Sequence, residues 1–516
     1  MTDGGQASLG SRSITAFLWG GGGAFLRLFL QISAQVVLAR VLGPEQYGLF
    51  AMGVMVMSFS AFFSDVGLAY GLIQRQHLDS THIRFVFTWQ LVLGLVATGV
   101  LASLSGVLAE FFREPKMVPL MLALAPLALV QAASAVSLNL LQRELDFKSL
   151  QIAQTIAYFV AYVCLGIPLA LAGAQVWALV VAWAVQSLLS LVLMYRVTGH
   201  PLGLLFRHGD ARSMGHFGGT VLLTNMTNWF IGNIDRVVLA RTLSTASVGL
   251  YVNAYNLVYA PASTLQSFMQ PVMYSACAKM QDDPGRIRNV YLMLMAGITL
   301  GIMPVFFAMA AVADTLVLGL YGQHWAGAAE VLRPIALAMP IMLLWGITTP
   351  VLWSSGRATL EFKFQLPLVV LWLIAALLAV QYSLAALAWT VLGLFLLRTL
   401  LFTVIAARVL GAELADCVLA LRGGMALSGL TSLTAWSVDC LLAVWLPDAL
   451  ARLPGVIILC GLTVLLAFKW LPGLLATSLA NQLEPQVDRL PTRAARLVRW
   501  GMSAQLRGSR LDRYKL

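Results

Sequence analysis

The segment VVLARVLGPEQYGLF at residues 36–50 recurs as VVLARTLSTASVGLY at residues 237–251. The two segments align without a gap at an offset of 201 residues, with eight identities in fifteen positions. Similarity at a fixed distance along the chain indicates a duplicated unit. Because the surrounding sequence is mostly apolar, the repeat predicts a protein built from two similar membrane-embedded halves.

The composition is that of a membrane protein. Apolar residues make up 59% of the chain and charged residues 11%, against about 25% charged residues in an ordinary soluble domain. Continuous apolar runs of about 20 residues recur, and each can cross the bilayer core as a helix. We therefore predict an all-α integral membrane protein with about fourteen transmembrane helices. The predicted spans are 14–41, 47–71, 84–109, 117–140, 150–172, 176–196, 216–242, 248–276, 290–313, 331–354, 364–382, 385–408, 422–446 and 453–475.

Further landmarks show how the halves are related. Pro126 in LALAPL matches Pro340 in ALAMPI, and Asp146-Phe147-Lys148 matches Glu361-Phe362-Lys363, at offsets of 214 and 215. Six predicted helices separate equivalent points, so the halves have the same orientation and form a parallel repeat. The predicted organisation is a six-helix bundle at 1–198, a cytoplasmic linker at 199–215, a second six-helix bundle at 216–410, a two-helix hairpin at 411–476 and a basic cytoplasmic tail at 477–516.

The charge distribution predicts topology. The chain carries a net charge of +11, and most of its Lys and Arg residues fall in the tails and in alternate loops. This bias places both termini in the cytoplasm. The basic tail is expected to lie on anionic membrane lipids, so the positive charge does not indicate a nucleic-acid partner.

Motifs of enzymes, metal sites and cofactor sites are not found. The five cysteines show neither paired nor metal-binding spacing. The glycine run at 20–23 lacks the lysine of a phosphate-binding loop. All predicted loops are short, so we expect no catalytic residues, no metal and no cofactor.

Polar residues inside the spans point to a cavity. Arg27, Gln31 and Gln35 share one helical face, and the offset of 201 maps them onto Asn228, Gly232 and Arg236. A charge at mid-membrane costs about 2.5–3.5 kcal/mol on the insertion scale, which argues against lipid exposure. The full set of predicted cavity residues is Arg27, Gln31, Gln35, Asp65, Asn225, Asn228, Asp235, Arg236, Tyr255, Tyr259, Gln266 and Gln270.

A purely structural role is the competing interpretation. Arg27 and Asp65 would then pair to lock two helices together, and the Gln and Asn side chains would bond neighbouring helices. Arg398, within the twelfth span, either faces the cavity or extends toward the membrane surface, and the second is favoured. For the set as a whole, a water-filled cavity accounts better for so many polar groups.

Three segments resemble a known family. VVLARVLGPEQYGLF, QRELDFKSL and NIDRVVLARTLSTASVGLYVNAY are similar to segments of bacterial Wzx-type polysaccharide-repeat flippases of the multidrug/oligosaccharidyl-lipid/polysaccharide exporter superfamily, in the colanic-acid-exporter-like branch. The resemblance covers roughly residues 12–475. It implies two six-helix bundles with two further helices, and a cationic lumen for which Arg27 and Arg236 are the basic candidates. The Asp of the NIDR stretch is Asp235. In the second copy Ser244-Thr245 replaces Gly43-Pro44, which leaves the outer turn of that half undefined by the resemblance.

The resemblance also implies a function. Its members move an undecaprenyl-pyrophosphate-linked oligosaccharide from the cytoplasmic to the periplasmic leaflet by alternating access. Polysaccharide polymerase and other biosynthesis proteins are then candidate partners. One alternative is a multidrug or small-cation exporter, which would need more acidic cavity residues. A less favoured alternative is a membrane polysaccharide polymerase or ligase, which would need a long periplasmic loop.

Overall fold

A computed structural model describes residues 9–65, 78–206, 211–280, 283–355, 357–471 and 474. Across these ranges the chain is almost entirely helical and forms no strand. Every predicted span coincides with a helical segment wherever it is described, which confirms the predicted fold class. Ten described helices are long and apolar enough to cross a membrane. One of these ten, Gly22–Phe62, includes most of each of the first two predicted spans.

From Ser80 onward, the described helices of the first half follow one another with short connections. A π-helical stretch, Phe159–Gly166, lies between the sixth and seventh. Their bounds are α1 Leu9–Asp65, α2 Ser80–Ser103, α3 Ser105–Phe112, α4 Met117–Leu124, α5 Pro126–Arg143, α6 Phe147–Tyr158, α7 Ile167–Leu171 and α8 Val176–Thr198.

The second half repeats this order and adds a hairpin. One break inside a span falls beside a proline in each half: Pro126 starts α5, and Pro304 lies in the first turn of α12. The bounds are α9 Ala211–Thr242, α10 Thr245–Lys279, α11 Pro284–Gly301, α12 Met303–Ala311, α13 Ala313–Tyr321, α14 Ala328–Gly346, α15 Thr348–Ser354, α16 Ala358–Ala379, α17 Leu384–Leu410, α18 Leu414–Trp445 and α19 Ala449–Trp470.

The repeated segment makes its turn differently in the two copies. In the first, Gly43 has φ 73° and ψ 174°, a conformation open to glycine, and Pro44 begins the next stretch of α1. In the second, the Ser244 hydroxyl accepts from the Ser247 backbone N–H at 3.3 Å, and α10 begins at Thr245. A serine cap therefore replaces the glycine-proline kink, which defines the turn that the resemblance left open.

The two copies of the repeated segment meet at equivalent glycines. A Cβ atom added to Gly48 would lie 1.8 Å from the Thr245 carbonyl oxygen. One added to Gly249, which is Gly48 shifted by 201, would lie 1.9 Å from the Pro44 carbonyl oxygen. The obstructing atoms are backbone, so no side chain can rotate away. Glycine is required at both positions for the backbones to approach this closely.

Replacing either glycine by alanine should destabilise the protein. We expect Gly48→Ala and Gly249→Ala each to cost about 1–3 kcal/mol or more, because the added methyl group meets backbone atoms. Thermal unfolding of the purified protein measures this. Gly99→Ala is the matched control, since nothing lies within 4 Å of that position in α2. Unfolding temperatures equal to that of the control would show that the helices do not cross here.

The described chain packs into two units, residues 1–252 and 253–516. In the second unit, polar contacts attach the hairpin α18–α19 to the bundle helices. Asp439 of α18 accepts from Thr315 of α13 at 2.7 Å and pairs with Arg452 of α19 at 3.3 Å. Arg288 of α11 pairs with Asp416 at the start of α18. The lobe boundaries derived from the sequence stay a prediction.

The start of the predicted linker is attached to α2 in the first unit. Arg84 donates to the Gly203 carbonyl at 3.2 Å, and the Leu205 backbone N–H donates to the Thr88 hydroxyl at 2.7 Å. His200 is only 4% exposed and contacts the rings of Phe87 and Tyr195. Burial lowers the pKa of His200, outweighing a hydrogen bond to the Pro201 backbone that raises it.

Acid should therefore loosen the linker. Since the folded state disfavours the protonated imidazole, the stabilisation is present at neutral pH and is lost as pH falls below the unfolded pKa of about 6.5. Hydrogen exchange at residues 200–206, corrected for the intrinsic pH effect, should rise between pH 7.5 and 5.5. In His200→Phe, which keeps an aromatic ring, we expect no such rise. A rise of the same size in that variant would contradict a role for His200.

Candidate functional site

Polar side chains from α1 and α6 meet in the first unit. Arg27 donates a hydrogen bond to the Gln154 side-chain oxygen. The Tyr158 hydroxyl donates to the Gln31 backbone carbonyl at 3.5 Å. We call the group Arg27, Gln31, Gln151, Gln154 and Tyr158 the α1–α6 seam.

The approach of the two helices at the seam depends on a small residue. A Cβ atom at Gly23 would lie 2.8 Å from the Cβ of Gln151, so glycine lets α1 pack directly against α6. One turn further along α1, the half-buried Arg27 reaches Gln154. A guanidinium has five N–H donors. The described hydrogen bond uses one of them, so the group can bind an anion as well.

The aromatic part of the seam continues into the π-helical stretch. The rings of Tyr158 and Tyr162 stack with centroids 4.5 Å apart and planes 17° apart. π-Helical turns inside α-helices often occur at functional sites. The sequence reasoning missed Gln151, Gln154, Tyr158 and Tyr162, although their spacing of three, four and four residues puts them on one helical face.

The predicted residues of α9 divide between exposed and buried positions. Asn228 is exposed, and Arg236 donates to Asn233 at 3.2 Å within the same helix. Asp235 is 2% exposed and accepts a hydrogen bond of 2.5 Å from the Tyr251 hydroxyl of α10. The carboxylate therefore joins two helices. Its assignment to a cavity, like that of the other predicted residues, stays a prediction.

The Asp235–Tyr251 pair belongs to the second copy alone. At the offset of 201, Asp235 corresponds to Ala34 and Tyr251 to Phe50. An apolar pair in one copy is thus a hydrogen-bonded pair in the other. Both members differ together, as expected if a buried carboxylate is tolerated only with its donor.

A double-mutant cycle tests this pair. Tyr251→Phe should destabilise the protein by about 1–3 kcal/mol, because it leaves a buried carboxylate without its donor. Asp235→Ala combined with Tyr251→Phe restores the pair found in the first copy, so we expect it to cost less than the sum of the single changes. Unfolding in denaturant measures all three. Strict additivity would show that the two side chains do not interact.

The predicted residues of α10 in the second unit face its neighbouring helices. Gln270 donates to the Gly346 carbonyl at 3.3 Å. The Gln266 amide packs against Gly346, where an added Cβ would lie 2.9 Å from its nitrogen. Tyr255 is buried, Tyr259 is partly exposed, and their rings lie 5.2 Å apart. Gln270 thus bonds α10 to the end of α14, and Gln266 packs beside it.

Two predicted residues cannot be placed, and no metal site is formed by the rest. The side chains of Asp65 and Asn225 lie outside the described part of the structure. Among the side chains that are described, no three His, Cys, Asp or Glu residues are grouped to hold a metal ion.

The model of a family described as polysaccharide biosynthesis protein matches residues 37–330. The chain belongs to this family. The match begins inside the first copy of the repeated segment and includes the second, so the duplicated segment and the α1–α6 seam from Gln151 onward are family sequence.

Curated relatives carry related names. The chain is 24% identical to lipopolysaccharide biosynthesis protein WzxC of Escherichia coli (strain K12), over 69% of this chain and 73% of that protein. It is 26% identical to succinoglycan biosynthesis transport protein ExoT of Rhizobium meliloti (strain 1021), over 64% of this chain and 67% of the relative. These relatives and the family match confirm the predicted resemblance to polysaccharide-biosynthesis proteins.

Solved structures share the fold. The lipid II flippase MurJ in an inward closed conformation superposes with a TM-score of 0.70 at 10% identity, covering 87% of this chain and 98% of that one. An inward-facing multidrug resistance MATE family transporter of the MOP superfamily gives 0.58 at 13% identity, covering 75% and 94%. At such identities the likeness concerns the fold, and it supports a multi-pass membrane protein.

Proposed function

We propose that this protein moves an undecaprenyl-pyrophosphate-linked oligosaccharide repeat unit from the cytoplasmic to the periplasmic leaflet of the bacterial inner membrane. The observation that carries the proposal is the α1–α6 seam, where the Arg27 guanidinium, side-chain amides and a tyrosine meet inside the first unit. The proposed cargo carries an anionic pyrophosphate, sugar hydroxyls and a lipid, and the first two are groups that these side chains can bind.

The chemistry of the seam suits the polar part of this cargo. Arginine binds phosphate through its planar fork of N–H groups, which can engage two oxygens at once. Gln154 bonds to Arg27 and restricts its position. Amides such as that of Gln151 can bond sugar hydroxyls.

Family membership and duplication support transport of such a cargo. The relatives named above take part in lipopolysaccharide and succinoglycan biosynthesis, the second as a transport protein. Transporters built from two repeats commonly rock one half against the other around a central site. We propose the same alternating access here, with both termini in the cytoplasm as the distribution of Lys and Arg indicates.

Changing Arg27 tests the proposal. Arg27→Ala should lower polysaccharide export by about tenfold or more, because a hydrogen bond to a charged group is worth about 1.5–3 kcal/mol. Arg27→Lys keeps the positive charge but not the planar fork, so its export should lie between that of the wild type and that of Arg27→Ala. Gln154→Ala should weaken export less than Arg27→Ala. Export is measured together with the lipid-linked oligosaccharide that accumulates in the cytoplasmic leaflet.

The controls separate a transport defect from a folding defect. Each variant must reach the membrane in normal amounts, and Arg40→Ala, on an exposed position of the same helix, should export normally. Arg236→Ala should also impair export if its predicted cavity role holds. Wild-type export in the Arg27 variants would contradict the proposed binding role. Changed drug susceptibility without a lipid-linked intermediate would favour a multidrug exporter instead.

A further inference from the structure

The second unit contains a buried arginine whose position the sequence did not predict. Arg398 of α17 is 4% exposed, so it neither extends to the membrane surface nor lies open to a cavity. Its guanidinium carbon lies 3.6 Å from the centre of the Trp345 ring at the end of α14. This stacking covers one face of the cation but gives its N–H groups no acceptor.

The N–H groups of Arg398 lack acceptors. Its Nε and Nη2 atoms are buried and have no hydrogen-bond partner among the described residues. A buried cation with unsatisfied donors is costly. Since arginine stays protonated in proteins, it cannot remove the cost by losing its charge. The arrangement therefore calls for an acceptor that the described side chains do not supply.

The nearby carboxylate is occupied elsewhere. Glu361 of α16 accepts from the Thr349 hydroxyl and the Gln365 amide at 3.0 Å, and from the Trp353 indole at 2.6 Å. Both of its oxygens are used. It lies close enough to interact electrostatically with Arg398, but no carboxylate in the described chain lies within 4.0 Å of that guanidinium.

The described residues near Arg398 accept no hydrogen bond from its Nε or Nη2 atoms. The indole nitrogen of Trp345 is buried and has no partner among the described residues. The hydroxyl of Thr399 donates to the Ile341 carbonyl at 3.0 Å. Phe395 and Phe402, on the same helix, are nearly fully buried. What is missing is thus a small group that accepts hydrogen bonds and compensates a positive charge.

We propose that Arg398 and Trp345 form a binding site for a small monovalent anion such as chloride. A metal cation is disfavoured by the guanidinium. The 4% exposure of Arg398 leaves little access for a group as large as a phosphate headgroup or a sugar. The anion would stabilise the fold of the second unit, and this role is separate from the cargo site in the first unit.

Glu361 should weaken anion binding at Arg398. Its negative charge repels an anion at Arg398, so removing that charge should strengthen binding. Glu361→Gln keeps an oxygen that can accept from Thr349 and Gln365 while removing the charge. At an effective dielectric constant of about 20, a unit charge about 12 Å away changes affinity by about tenfold, and a nearer charge changes it by more.

Halide titration of the full-length protein in lipid nanodiscs tests the site. With gluconate as the replacement at constant ionic strength, chloride and bromide should raise the unfolding temperature saturably. In Arg398→Gln we expect no halide response, and in Glu361→Gln half-saturation at a concentration about tenfold lower. Arg408→Gln is the matched control, because Arg408 lies exposed at the end of the same helix.

Fluorescence provides an independent measurement. Iodide bound at Arg398 would lie beside the Trp345 ring and quench it, so part of the quenching should saturate in the wild type and disappear in Trp345→Phe. Equal unfolding temperatures in chloride and gluconate would overturn the proposal, since water would then satisfy the arginine. So would an unchanged halide response in Arg398→Gln. If that variant fails to fold, the wild-type titration and the Glu361→Gln shift still decide.

Discussion

The contact between Gly48 and Gly249 is the constraint on which much of the first unit depends. Each glycine lies against backbone atoms of the other copy of the repeated segment, at the Thr245 and Pro44 carbonyl oxygens. In lipid, helix association gains little from the hydrophobic effect and depends on close packing. A crossing without side chains on either helix provides that packing and places the turns at Gly43 and Ser244 beside each other's helices.

Other contacts of the first unit are compatible only with this crossing. Thr245, which lies against Gly48, donates to Glu114 at 2.7 Å. Arg241, one turn earlier on α9, stacks over Phe111 of α3 at 5.5 Å. Both contacts join the second copy to the end of α3 and to the connection that follows it. A shift of one helix along the other would break them together, so the glycine crossing fixes the register of the end of α9 and the first turns of α10 within the first unit.

The fold could be predicted because its signals act over long stretches. Apolar runs the length of a bilayer give the helices, and the offset of 201 gives the duplication. The site was harder to predict, because the predicted cavity residues were chosen at polar positions that the two copies share. At the offset of 215, Gln151, Gln154 and Tyr158 correspond to Leu366, Val369 and Leu373. A comparison of copies could not find the α1–α6 seam, whereas the helical spacing within α6 could.

The turns and crossings of this duplicated protein recur in both halves, whereas its buried polar pairs do not. Helix crossings and turns must work in both halves, so they keep their positions even when Gly43-Pro44 becomes Ser244-Thr245. A buried polar group needs partners that arise together, as Asp235 and Tyr251 do where the first copy has Ala34 and Phe50. Such groups therefore appear in one half at a time. The positions that both copies share thus form the helix crossings and turns, and positions that differ in pairs between the copies carry the buried polar groups.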